Sequence, residues 1–187
     1  MNLFKQDIKP IDAVVAITYK CNSRCNMCDI WKIRNHNDVD NSFYTKLPKS
    51  LRFINISGGE PFLRQDIVEI IDIILKTCPK SQLVISSNGF ATNLIVDRMK
   101  KIKEIAGDRV GIALSIDGMQ EMHDKIRGIQ NGFDKIIKTI EELQKIGIKG
   151  IRIAFTVTGE NIKDLDELYK LSRKMGVQFT MSFAQSS

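Results

Sequence analysis

The sequence has no apolar run of the roughly 18 residues that a membrane-spanning helix needs. Its longest candidates, such as Ile67–Leu75, are broken by Glu69 and Asp72. The opening residues, MNLFKQDIKP, lack the continuous apolar stretch of a secretory signal. No membrane association is expected, and a cytoplasmic protein is the default. Low-complexity segments and internal repeats are also missing. Cysteines number four, three of them within eight residues. Separations of four and three residues are awkward for disulfides among themselves, and Cys78 lies far away. Clustered cysteines in a cytosolic chain argue for metal or redox chemistry before disulfides.

What remains is ordinary globular material. The 187 residues are 43% hydrophobic and 27% charged, enough for one domain, 1–187, with a real core. The net charge of +6 raises the question of nucleic acid. The lysines, however, are scattered among acids, as in Asp97–Glu104 and Lys135–Lys145. That pattern reads as solvated helix faces and argues against nucleic acid. A mildly basic mouth for an anionic substrate or an acidic redox partner is the other reading.

Short β-branched runs alternate with helical patterns. Strands are predicted at Ala13–Thr18, Phe53–Ser57, Leu83–Ser86, Val110–Ile116, Ile151–Val157 and Val177–Met181. Helices are predicted at Gln65–Thr77, Asn93–Ala106, Gly132–Ile146 and Ile162–Met175. Asn161 is read as the N-cap of the last helix, and Gly147 and Gly176 as helix ends. This alternation predicts an α/β fold with parallel strands. It is either an open doubly wound sheet or a partial barrel, since a closed eight-stranded barrel takes about 250 residues. The long connection from Tyr19 to Leu51 is expected to hold a functional loop and a helix near Ser42–Leu47. The chain stops after its sixth strand, where a covering helix is expected. A truncation or a following domain is inferred.

The chemistry clusters at strand ends, where parallel α/β folds bind ligands. Cys21-Asn-Ser-Arg-Cys25-Asn-Met-Cys28 follows the first strand. A structural zinc site wants four ligands, and no second cysteine pair exists. His36 is a possible fourth zinc ligand, and a chance cluster of buried cysteines is the blandest alternative. A three-thiolate iron–sulfur cluster leaves one iron open. The second strand ends in Ser57-Gly58-Gly59-Glu60-Pro61. Glycines there permit close backbone approach, and Glu60 supplies an acceptor for an amine. The third ends in Ser86-Ser87-Asn88-Gly89, and the fourth in Ser115-Ile-Asp117-Gly118. Arg127 follows in His123-Asp-Lys-Ile-Arg127-Gly128 and is suited to a carboxylate.

This ordered set resembles the radical S-adenosylmethionine (SAM) superfamily, from about Ala13 to the last strand. The resemblance implies a partial (β/α)6 TIM-like barrel. It implies Cys21, Cys25 and Cys28 on three irons of a 4Fe–4S cluster, with SAM on the fourth. Gly58, Gly59 and Glu60 are then expected at the SAM amino group, Ser87 and Asn88 near its ribose, and Ser115 and Arg127 at its carboxylate. Met27 and Val157 are expected near adenine. The implied chemistry is reductive cleavage of SAM to a 5′-deoxyadenosyl radical, fed by a reductant such as flavodoxin or ferredoxin. Asp117 and His123 are weak candidates for substrate-side acid/base groups. The later motifs resemble members with a SPASM or twitch extension, which act on peptides, proteins or cofactor precursors. No cysteine follows Cys78, so no auxiliary cluster fits in this chain. The rival readings are a non-catalytic iron–sulfur or zinc module for redox sensing or electron transfer, and an RNA-modifying member of the same superfamily.

Overall fold

A computed structural model describes residues 9–34 and 37–184. Six parallel strands lie in sequence order: β1 (Asp12–Thr18), β2 (Phe53–Gly58), β3 (Gln82–Ser87), β4 (Val110–Ser115), β5 (Ile151–Val157) and β6 (Gln178–Phe183). The order never reverses. Crossovers of constant hand then advance one strand at a time and put every helix on the same face. A doubly wound sheet needs a reversal to cover both faces, so the partial barrel is the fold.

The helices are α1 (Ile67–Thr77), α2 (Thr92–Ala106), α3 (Gln120–Arg127), α4 (Gly132–Lys145) and α5 (Leu165–Met175). They form where apolar residues recur at helical spacing. In α1, Ile67, Ile70, Ile71 and Ile74 are buried, and in α4 Ile136, Ile140 and Leu143 are. These stripes pack on the outer face of the sheet, on Ile54, Ile56, Leu83, Ile85 and Ile112. Each fully buried isoleucine stabilises by about 1.5–3 kcal/mol.

The inner face is different. Along β5, Ile151, Ile153, Phe155 and Val157 are buried outward, while Arg152, Ala154 and Thr156 alternate as half-buried residues facing inward. A closed barrel fills its interior with layers of bulky side chains. Here most inward residues are small or polar, with Phe53 and Val84 among the apolar ones, and they line a lumen of about 770 Å³.

Three expectations are adjusted. Helix α3 was not anticipated: it has eight residues, of which His123, Ile126 and Arg127 are buried, too few for a readable period. Asn161 does not cap α5. A 3-10 turn, Ile162–Asp164, comes first, and the Asn161 side chain makes no cap bond there. Its amide instead donates to Asp117 O (3.1 Å) and Thr156 O (2.9 Å), tying β4 to β5. The connection from Tyr19 to Leu51 holds 3-10 helices at Ile30–Lys32 and Asn41–Lys46, the second close to the expected position. Buried Arg64 staples this connection to the sheet. Its guanidinium donates to Ile17 O (2.6 Å), Val39 O (2.8 Å) and Tyr44 Oη (3.1 Å).

Candidate active site

The cysteine loop leaves the end of β1, where the pairing with β2 slips between Ala16 and Thr18. It is held on two sides by backbone hydrogen bonds. On the β2 side, Gly59 N donates to Thr18 O (2.8 Å) and Glu60 N to Lys20 O (2.7 Å). On the α3 side, Arg24 N donates to Arg127 O (3.0 Å) and Asn26 N to Ile126 O (2.9 Å). Glycine is required on both flanks. A Cβ at Gly59 would stand 2.3 Å from Lys20 O. At Gly128, with φ +62°, it would stand 2.7 Å from Arg24 O.

Between these grips lies a cavity of about 430 Å³. Cys21, Cys25 and Cys28 line it, together with Met27, Gly58, Gly59, Ser87, Asn88, Ser115 and Arg127. Ten residues expected at a cofactor site, drawn from the cysteine loop, three further strand ends and α3, thus meet in one place. Two others do not. Val157 is buried in the core and its carbonyl accepts from Ala184 N (2.9 Å), so Thr156 lines the cavity in its stead. Glu60 stands behind the wall, fully buried. Its carboxylate accepts from Phe62 N (3.1 Å), Asn88 N (2.7 Å) and Ser87 Oγ (3.0 Å). Burial pushes its pKa up to about 7, against the lowering effect of these donors.

The acid/base candidates are likewise committed to the scaffold, and neither lines the cavity. Asp117 is fully buried, ion-paired with Arg127, and accepts from Thr156 N (2.8 Å). His123 Nδ1 accepts from Asp117 N (3.1 Å), and the ring meets Phe90 and Phe133 edge-on. Burial, with the Arg127 charge, lowers its pKa to about 3, so it is neutral near pH 7.

Two residues escaped the sequence reading. Ser23 Oγ lies 3.1 Å from Cys25 Sγ and donates to Arg127 O (2.9 Å). Trp31, the single tryptophan, donates its Nε1–H to Cys25 O (3.2 Å) and forms part of the cavity wall. Its position three residues after the last cysteine of the motif was the available signal.

The donor set suits a cluster. Among the described residues, no three His, Cys, Asp or Glu side chains converge on a single-ion position. Cys21, Cys25 and Cys28 are free and line one cavity, and thiolates are the donors that iron–sulfur clusters take. His36, the ligand of the zinc alternative, lies outside the described residues. Arg127 Nη1 approaches Cys25 Sγ at 3.6 Å, and Arg127 Nε is buried without a partner. A site with soft thiolates and a spare guanidinium donor accepts both an iron–sulfur cluster and an anionic group beside it. Burial raises the pKa of the Cys21 thiol, so metal loading there must displace a proton. Cys78 is buried beside Pro48 O (3.4 Å) at the opposite end of the sheet.

Among the described residues no helix is long and apolar enough to cross a membrane. The chain is 31% identical over 179 residues to Fe-coproporphyrin III synthase of Methanosarcina barkeri, covering 90% of this chain and 42% of that protein. It is 29% identical over 173 residues to a probable GTP 3′,8-cyclase of Sulfurisphaera tokodaii, covering 89% and 53%. The chain thus spans about half the length of these relatives. Among solved structures, Streptococcus suis SuiB bound to S-adenosylmethionine superposes with a TM-score of 0.79 at 18% identity, over 95% of this chain and 41% of SuiB. SuiB bound to its precursor peptide SuiA gives 0.77. The model of the radical SAM superfamily, whose members use a 4Fe–4S cluster and S-adenosylmethionine, matches residues 15–172. The chain belongs to the radical SAM superfamily.

Proposed function

We propose that this chain is the core of an enzyme that cleaves SAM reductively and uses the product to take hydrogen from a substrate. The observation that carries it is the single cavity lined by Cys21, Cys25 and Cys28 and by the ends of β2, β3, β4 and β5. In this reading the three cysteines hold a 4Fe–4S cluster. Gly58 and Gly59 offer an open backbone edge for the amino group of SAM, with Glu60 fixing that wall from behind. Ser87 and Asn88 face the ribose, Ser115 and Arg127 the carboxylate, and Met27 and Thr156 the adenine. When bound, the cluster and SAM supply a one-electron cleavage that yields a 5′-deoxyadenosyl radical for hydrogen abstraction.

The protein's own part is positioning and exclusion of water. Arg127 has a forked side chain, so one nitrogen pairs with Asp117 while another faces Cys25. Asn161 and His123 hold the Asp117 backbone, which fixes the carboxylate and through it the guanidinium. A reductant such as flavodoxin or ferredoxin would deliver the electron from the cysteine-loop side, where Cys28 is exposed.

A small cofactor precursor is the favoured substrate class over a peptide. The relatives at 29–31% identity are named for a coproporphyrin and for GTP, while the peptide-bound neighbour shares 18% identity and speaks for the fold alone. The test is anaerobic reconstitution with iron and sulfide, then dithionite and SAM. Formation of 5′-deoxyadenosine is expected. Intact cluster absorbance without that product would overturn the reading in favour of an electron-transfer or sensing module.

A further inference from the structure

Among the described residues, two charges that line the lumen have neither an ion pair nor a side-chain hydrogen bond, the exposed Asp12 and the half-buried Arg152. Four charged residues line it: Asp12, Asp108, Arg109 and Arg152. Asp108 pairs with Lys149 at 2.8 Å, and Arg109 donates to Pro79 O at 3.0 Å. Asp12 lies in register with Phe53, and Phe53 with Gln82, at the lower end of the strands. Arg152 lies in register with Ala113, and Ala113 with Ser86, four residues further along β3 than Gln82. At about 3.3 Å per residue, these rows are about 13 Å apart along the strands. No ion pair forms between Asp12 and Arg152 across these rows. The Arg152 guanidinium forms no ion pair with a described residue, and its Nε is buried without a hydrogen-bond partner.

Its register partners leave it unbonded. Ala113 on β4 has no side-chain acceptor, and Gln178 on β6 has an amide oxygen but makes no hydrogen bond to the guanidinium, while Asn55 Oδ1 is already taken by Ser86 Oγ at 2.8 Å. A half-buried guanidinium whose Nε has no hydrogen-bond partner is unfavourable unless an acceptor arrives. We propose that Arg152 anchors an oxyanion of the substrate, a carboxylate or a phosphate, in the lumen. The planar fork of arginine matches either group with two parallel hydrogen bonds.

The same geometry limits the substrate's length. The lumen joins the cysteine-side cavity at Ser86, Ser115 and Thr156, which line both. Thr156 is four residues beyond Arg152 on β5, about 13 Å along the strand. An anion held at Arg152 therefore points the rest of the molecule at the shared mouth. The substrate carries its oxyanion and its reacting carbon on the order of 10 Å apart. This rests on the radical SAM reading, whose substrate class it names.

The experiment titrates the cluster-reconstituted chain with inorganic pyrophosphate and, separately, with succinate, by calorimetry at low ionic strength. At least one anion should bind saturably. Arg152→Gln should weaken it tenfold or more, and Arg152→Lys by less. A response to pyrophosphate alone marks a phosphate site, and a response to succinate alone a carboxylate site. Thr180→Asp places a carboxylate on the neighbouring strand facing the same lumen. It should give a similar loss, which keeps the test open if Arg152→Gln fails to fold. Binding of neither anion, or equal binding by wild type and Arg152→Gln, overturns the proposal. Wild-type 5′-deoxyadenosine formation is measured on the same preparation. Its absence with anion binding intact removes the radical reading and leaves Arg152. Its presence without Arg152-dependent binding does the reverse.

Discussion

The cysteine loop lies between two walls, and each wall buries a carboxylate completely. The β2–β3 wall surrounds Glu60 with N–H and O–H donors and gives it no ion pair. The β4–α3 wall gives Asp117 a guanidinium. Neutral donors offset burial only in part, so Glu60 takes up a proton near pH 7. Asp117 instead has the Arg127 guanidinium as its partner. One wall of the site can therefore change its charge near neutrality through Glu60, and the other is held in place by its ion pair.

The largest expected effect comes from breaking the fixed wall. Arg127→Met leaves Asp117 buried without its cation and should cost about 3–5 kcal/mol in denaturant unfolding. Arg127→Lys retains one charge but lacks the fork that reaches Asp117 and Cys25 together, so it should restore only part of that stability. If Arg127→Met unfolds at the wild-type denaturant concentration, the ion pair is not what holds this wall.

Next in size is the backbone grip. Gly128→Ala introduces a Cβ at a positive φ, 2.7 Å from Arg24 O. The left-handed conformation costs roughly 1–2 kcal/mol for a non-glycine residue, and the contact forces the loop to move. A loss of about 2 kcal/mol is expected, with weaker iron retention after reconstitution, read by iron analysis. Unchanged iron content would mean that the α3 grip does not position the cysteines.

How far the sequence spoke for these features depended on the range of the interactions involved. Strands such as Ile151–Val157 and helices such as α4 were legible because their apolar periods are local. The cysteine loop and Gly58-Gly59 were legible because each motif is contiguous. What stayed hidden depends on distant partners. Ser23 meets Arg127 across 104 residues, and Asn161 meets Asp117 across 44. Asp117 and His123 were weak acid/base candidates because the sequence does not show that Asp117 is paired with Arg127 or that His123 Nδ1 is bonded to the backbone. Arg152 belongs to no motif, and nothing in the sequence singled it out. Only curvature of the sheet turns it into the lumen.

Titration separates the walls further. Glu60 has a folded pKa of about 7 against 4.5 for the free group. The folded state holds its proton longer, so stability from this group is present below pH 4.5 and is lost as pH rises towards 7. His123 has a folded pKa of about 3 against 6.5. The unfolded state takes that proton first, so stability is lost as pH falls from 6.5 towards 3. Between pH 5 and 6 the two slopes oppose each other at about 1 kcal/mol per pH unit each. The wild type should be nearly flat there. Glu60→Gln should become more stable with rising pH, and His123→Gln less stable. Parallel pH profiles for the two variants would show that the walls do not differ in this way.

The smallest expected effect is at Ser23, whose hydroxyl lies on the fixed wall's side of the loop. Ser23→Ala removes the bond to Arg127 O at 2.9 Å and the contact with Cys25 Sγ at 3.1 Å. One such hydrogen bond is worth about 0.5–1.5 kcal/mol, so unfolding should shift by about 1 kcal/mol. The hydroxyl has one proton and two acceptors in reach. If it stays on Arg127 O, the potential of the loaded cluster is unchanged in Ser23→Ala and only stability falls. If loading turns it to Cys25, its loss removes a donor from a cluster sulfur, and the potential moves to more negative values. A potentiometric titration followed by electron paramagnetic resonance separates the two. A negative shift would mean that the fixed wall also sets how easily the cluster is reduced.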